Sequence, residues 1–167
     1  MSHSKAETDS LFEGLVERNR RRLLGIARSY ARGDEYQDLF QDILLQIWKS
    51  LDRFEGRSSA DTWLYRIALN TALTFRRRAD TRSRHIPPPA EDANQRLHAL
   101  PAGSTPDLDL VRRFIGTLGA VDRAVFVLYL DDLSYREMAE ILGLSEGAVG
   151  VRLNRIKKKF VAEYCDR

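Results

Sequence analysis

Apolar residues recur at helical spacing along most of this chain, and that pattern constrains the fold more than any other feature. Leu11, Leu15, Leu23, Ile26, Ala27 and Tyr30 mark a first helix. Tyr36, Phe40, Ile43, Leu44, Ile47 and Leu51 mark a second, and Ala60, Leu64, Ile67, Ala68, Thr71 and Phe75 a third. Leu110, Val111, Phe114, Ile115 and Leu118 mark a fourth. No stretch alternates with period two between hairpin turns, so the spacing predicts an all-α protein. All five prolines, Pro87, Pro88, Pro89, Pro101 and Pro106, fall within residues 79–106, where strong apolar residues are sparse. That texture predicts a Pro-rich linker. The expected organisation is a disordered tail over 1–7, an N-terminal helical domain over 8–78, the linker over 79–106 and a C-terminal helical domain over 107–164.

Composition narrows the function. No apolar run approaches the roughly 18 residues of a membrane span, so no membrane insertion is expected. The polar start, Met1 to Ser10, does not read as a secretory signal. The single cysteine, Cys165, cannot form an internal disulfide. His3, His85 and His98 are far apart and lie outside the segments read as ordered. No Gly-rich phosphate loop and no nucleophile–base pair can be placed. The chain therefore reads as cytoplasmic and not an enzyme, with no cofactor and no metal site expected.

Charge is unevenly spread. The net +3 arises from 27 basic and 24 acidic residues. Asp34 to Asp42 carries four acids and no Lys or Arg, whereas Arg76 to His85 carries five arginines against Asp80. Leu144 to Phe160 carries Arg152, Arg155, Lys157, Lys158 and Lys159 against Glu146. Basic clusters at helix ends are often plain solvated faces, but two of them in one short chain point towards nucleic acid.

The most specific local signal runs from Leu133 to Val149. Ser134 with Glu137 three residues on forms a capping box. Met138, Ala139, Ile141 and Leu142 give a short helix its apolar face, and Gly143 supplies a tight turn. Ser145 starts a second helix whose stripe is Val149, Leu153, Ile156 and Phe160. This is a helix-turn-helix layout, in which the second helix enters the major groove. Glu146, Gly147, Gly150, Val151, Asn154 and Arg155 lie off the core stripe, facing DNA. Asn pairs with an adenine edge and Arg with a guanine edge. Arg152, Lys157, Lys158 and Lys159 suit phosphates, which position the protein without reading sequence. Gly150 and Val151 offer no side-chain hydrogen bond, so hydrogen-bonded readout rests on Asn154 and Arg155.

Two further constellations lie in the N-terminal half. Asp38, Gln41 and Asp42 share a polar helix face. That face suits a basic protein partner; the other reading is the usual acidic bias of a helix N-terminus. Phe54-Glu55-Gly56-Arg57-Ser58-Ser59 forms a small loop behind an aromatic, and Trp63, Arg66, Asn70 and Arg77 follow on one face of the third helix. An aromatic, an amide and two cations on one face suit single-stranded DNA. Trp63 and Tyr65 read equally well as core or half-core residues.

Asp38-Leu39-Phe40-Gln41-Asp42, Leu51 to Ser59, Thr62 to Asn70 and the helix-turn-helix occur in this order. In that order they resemble the bacterial RNA polymerase sigma factors of the extracytoplasmic-function (ECF) type. The resemblance implies a protein that joins core RNA polymerase and directs promoter-specific initiation. It implies that Asp38, Leu39, Gln41 and Asp42 meet the clamp-helix coiled coil of the polymerase largest subunit. It places a flipped base of the −10 element near Phe54, Arg57, Ser58, Ser59 and Asn70, with Trp63, Arg66 and Arg77 on the same strand. It gives the −35 element, as duplex, to the helix-turn-helix domain. It also admits an anti-sigma factor as a partner, since many members have one. An ordinary regulator binding duplex DNA without polymerase would need neither the acidic face nor the Phe54–Asn70 pocket.

Overall fold

The structure is a computed structural model that describes residues 5–85 and 106–164. Those residues form seven α-helices and no strand. The chain divides into two units between Ala99 and Leu100. The first holds α1 (Lys5–Tyr30), α2 (Glu35–Ser50), a 3₁₀ turn (Leu51–Arg53) and α3 (Ala60–His85). The second holds α4 (Pro106–Thr117), α5 (Ala120–Leu130), α6 (Tyr135–Leu142) and α7 (Glu146–Tyr164).

In the first unit each helix packs on the other two. α1 buries Leu15, Leu23, Ile26, Ala27 and Tyr30; α2 buries Leu39, Ile43 and Ile47; α3 buries Leu64, Tyr65, Ala68, Leu69 and Ala72. Each large aliphatic withdrawn from water contributes roughly 1.5–3 kcal/mol. Leu11, read into the first stripe, is instead 44% exposed. Gly33, at φ +50, makes the turn from α1 to α2, a conformation that costs glycine little. Asn19 is buried, and its amide donates to the Leu15 carbonyl at 3.1 Å and to Asp61 Oδ1 at 2.9 Å. It thereby ties α1 to the first turn of α3.

The helices overrun the expected boundaries. Lys5 to Glu7, expected in the tail, belong to α1, and residues 79–85, expected in the linker, belong to α3. His85 is accordingly the last residue of a helix. Nothing between Arg76 and His85 breaks a helix, and Arg76 pairs with Asp80 one turn on at 3.2 Å. Pro106, expected to end the linker, opens α4, because the first helical position needs no N–H. Residues 1–4, most of the linker (86–105) and Cys165 lie outside the described residues.

The second unit contains a helix that periodicity did not mark. In α5, Arg123, Ala124, Val125, Phe126, Val127 and Leu128 are all buried. A helix apolar all round has no stripe to detect. Buried Arg123 closes the end of α4: its guanidinium donates to the carbonyls of Ile115, Gly116 and Leu118 at 3.1, 3.2 and 3.1 Å. Carbonyls at a helix end lack intrahelical partners; Ile115 also accepts from the Leu118 N–H at 3.2 Å. Phe114 gathers an aromatic cluster, with the rings of Phe126 and Phe160 at 5.3 and 5.0 Å.

Candidate nucleic-acid interface

The helix-turn-helix forms as its residues dictate. The Ser134 Oγ accepts from the Glu137 N–H at 3.3 Å, and the Ser134 N–H donates to Glu137 Oε2 at 2.8 Å. Gly143 ends α6 at φ 66, ψ 34, a left-handed conformation that favours glycine. Ser145 Oγ accepts from the Ala148 N–H at 3.1 Å and so caps α7. Val149, Leu153 and Ile156 are buried, and the opposite face of α7 is left to solvent.

On that outer side Glu146, Gly147, Val151, Asn154, Arg155, Lys157, Lys158 and Lys159 are exposed, as expected. Gly150 is half-buried beside Tyr135; a Cβ added to it would meet the ring at 3.4 Å. The cations are not equivalent. Asp122, in the first turn of α5, accepts from Arg152 Nη1 through one carboxylate oxygen and from Arg155 Nη2 through the other, both at 2.7 Å. Arg155, singled out for base readout, is therefore drawn towards the α5 flank with Arg152. Lys157 sits over the Tyr129 ring, 4.1 Å from its centroid. Lys159 reaches the Thr117 hydroxyl at 3.3 Å and Glu163 at 3.6 Å. Sequence spacing gave no sign of the Asp122 bridge, whose partners are 30 and 33 residues away.

In the first unit the structure separates residues that the motif had grouped. Asp38, Gln41 and Asp42 are exposed on α2, whereas Leu39 is wholly buried. Leu39 is corrected to a core residue: it lies on the stripe with Ile43 and Ile47, so its side chain is not offered to a partner. The helix dipole favours acids only in the first turn, which accounts for Asp38 but not for Asp42 a turn further on. Beside this face the Tyr36 phenol is held below its ordinary pKa, first by the Gln37 hydrogen bond and then by Arg28.

The loop before α3 is partly spoken for. Phe54 packs on Trp63 with ring centroids 5.0 Å apart, and both are half-buried. Tyr65 is 1% exposed and belongs to the core. Gly56 turns the loop at φ +67. Arg57, exposed, pairs with Glu55 at 2.6 Å through Nε, a surface pair of little energetic weight. Ser58 is half-buried and bonds the Ser59 carbonyl weakly at 3.4 Å. The Ser59 hydroxyl accepts from the Thr62 N–H at 3.1 Å and bonds the Thr62 hydroxyl at 2.9 Å. Ser59 thus serves α3 as its cap. Arg66, Asn70 and Arg77 are exposed along one face of α3 and, with Trp63, span about 21 Å at 1.5 Å per residue. Asp42 and Arg77 also line one groove of about 600 Å³, with Phe75, Arg78 and Thr81.

Two family models match the chain: sigma-70 region 2 over residues 15–82, and sigma-70 region 4 over residues 108–160. The two units are thus the two regions of a sigma-70-class transcription initiation factor. The ECF RNA polymerase sigma-E factor of Haemophilus influenzae is 28% identical over 158 residues, 88% of this chain and 84% of the relative. That of Escherichia coli K12 is 29% identical over 161 residues, 88% and 83%. A solved structure of CnrH with the cytosolic domain of CnrY superposes with a TM-score of 0.66 at 29% identity, covering 92% of this chain and 87% of that one. The sigma factor RpoE of Bartonella quintana, solved with the anti-sigma factor NepR, gives 0.68 at 25% identity, covering 90% and 94%. The chain belongs to the ECF type of bacterial sigma factor, which binds core RNA polymerase and directs promoter-specific initiation.

Proposed function

We infer that the two units divide the promoter and the polymerase between named residues. Asp38, Gln41 and Asp42 dock on the clamp-helix coiled coil of the polymerase largest subunit. Phe54, Trp63 and Asn70, with Arg57 and Ser58 of the loop, receive an extruded base of the −10 element, while Arg66 and Arg77 follow the strand backbone. Asn70 bonds the base edge, and the pocket offsets an unstacking cost of a few kcal/mol. α7 enters the major groove of the −35 element, where Arg152, Lys157, Lys158 and Lys159 hold phosphates and Asn154 faces base edges. Arg155, bridged to Asp122, joins the phosphate contacts. Glu146, Gly147 and Gly150 belong to the surface that approaches the groove. The chain works in the cytoplasm, performs no catalysis itself, and takes an anti-sigma factor as an alternative partner, as the Bartonella quintana relative does.

The observation that carries this reading is the pair of distinct exposed faces in one unit. One is acidic, on α2; the other is amide- and arginine-bearing, on α3. A duplex-binding regulator needs neither. Phe54→Ala and Asn70→Ala are expected to assemble with core polymerase normally and to lose strand opening, read by permanganate footprinting. Normal opening by both variants refutes the pocket. Unfolding of Asn70→Ala would show a structural amide, although its exposure argues for a folded variant.

A further inference from the structure

The outer face of α7 carries an apolar residue where DNA-reading helices usually carry polar ones. Base edges in the major groove are mostly hydrogen-bond donors and acceptors, so polar side chains normally meet them. Opposite the buried stripe of Val149, Leu153 and Ile156 stand Gly147, Val151, Asn154 and Lys158. With 3.6 residues per turn, Val151 falls near the centre of that outer face. It is 73% exposed, more than any other exposed large hydrophobic side chain among the described residues. A branched aliphatic held in water adds nothing to the core and restricts the helix at χ1.

Its surroundings clear the way to it. One turn earlier stands Gly147, with no side chain to hold DNA off. On one flank, the Tyr135 ring lies against Gly150. On the other, Asp122 holds the guanidiniums of Arg152 and Arg155 at 2.7 Å, towards α5. The leading surface of the helix is therefore Val151, with the Asn154 amide beside it.

The major groove presents one apolar group, the C5 methyl of thymine. Against any other edge Val151 would strip water from a donor or acceptor without replacing its hydrogen bond. We propose that Val151 reads a thymine C5 methyl in the duplex element and sets the base preference at that position. This rests on the reading that α7 docks in the major groove.

The test replaces thymidine with deoxyuridine, one position at a time, in a −35 duplex selected by the full chain assembled with core RNA polymerase. The replacement removes one methyl and leaves every hydrogen-bonding group in place. One substitution is expected to weaken binding about fourfold, the worth of one buried methyl. Val151→Ser should bind the thymine duplex about as weakly as wild type binds that deoxyuridine duplex, and should be indifferent to the replacement. Val151→Thr, which keeps one methyl, should retain part of the effect. The exposed position makes misfolding of these variants a minor concern, and circular dichroism checks it.

Specific binding that no deoxyuridine changes overturns the proposal, as does an equal loss in Val151→Ser. A parallel series with 5-methylcytosine separates the sources of the methyl: sensitivity confined to that base overturns the thymine assignment. Failure of every α7 variant to alter duplex binding refutes the docking reading, and the proposal with it.

Discussion

Replacing Asp122 by Asn changes one charge and almost no volume, and the structure says what should follow. The carboxylate bridges Arg152 and Arg155 at 2.7 Å each and is itself only 21% exposed. Arg152 is 36% exposed and Arg155 65%. The Arg155 bond is close to a surface pair, worth well under about 1 kcal/mol. The Arg152 bond is better shielded, and charge-assisted bonds contribute about 1.5–3 kcal/mol. Asp122 also stands in the first turn of α5, where a negative charge adds about 0.3–1 kcal/mol. Asn keeps one acceptor, so the expected net loss is about 1–2 kcal/mol, confined to the second unit.

Both tryptophans, Trp48 and Trp63, belong to the first unit. Tryptophan fluorescence is therefore an internal control that should not move. Hydrogen exchange of the buried amides of α5 and α7 should quicken about 5–30-fold, the factor that 1–2 kcal/mol implies. Duplex binding should respond in the opposite sense. Without the carboxylate to share, the guanidiniums of Arg152 and Arg155 hold their phosphates more fully, and the slope of log affinity against log salt should steepen by up to about 0.9 for each. Unchanged exchange together with an unchanged slope would refute the bridge. A shallower slope would show instead that Asp122 presents the arginines to DNA.

Three other substitutions are informative. Charge reversal of Asp38 and Asp42 to Lys should abolish co-purification with core polymerase while leaving helicity intact, since both are exposed. Lys158→Ala should lower the salt slope by about 0.9 and weaken all duplex sequences alike, as measured by salt titration on unrelated duplexes. Arg123→Met removes its bonds to the Ile115, Gly116 and Leu118 carbonyls, of which Ile115 keeps the Leu118 N–H; with two groups stranded at about 1–3 kcal/mol each, the second unit should lose at least about 2 kcal/mol, measured by hydrogen exchange.

What could be read from the residues was local. The capping box of Ser134 and Glu137, the turn at Gly143 and the stripe of Val149, Leu153 and Ile156 are set by neighbours within a few positions, and all formed as expected. What escaped depends on distance along the chain or on uniformity. α5 went unmarked because its apolar residues wrap the whole helix. Asp122, Arg123 and Asn19 carry no local signal in the sequence; only the fold shows their partners on other helices. Leu39 was grouped with its acidic neighbours by contiguity, whereas adjacent helical residues point in different directions. The end of α3 was placed too early because strong apolar residues are sparse after residue 78, although arginine is a good helix former.

Run-off transcription separates a sigma factor from a duplex-binding regulator. Core RNA polymerase, with and without the full chain, is given a library of randomised −35 and −10 elements. Discrete transcripts are expected only when the chain is present. They should come from templates sharing both elements, and should vanish with the Asp38 and Asp42 reversals or with Phe54→Ala. Retention of selective duplex binding by a chain that fails to support transcript initiation would make the protein a duplex-binding regulator and not an initiation factor.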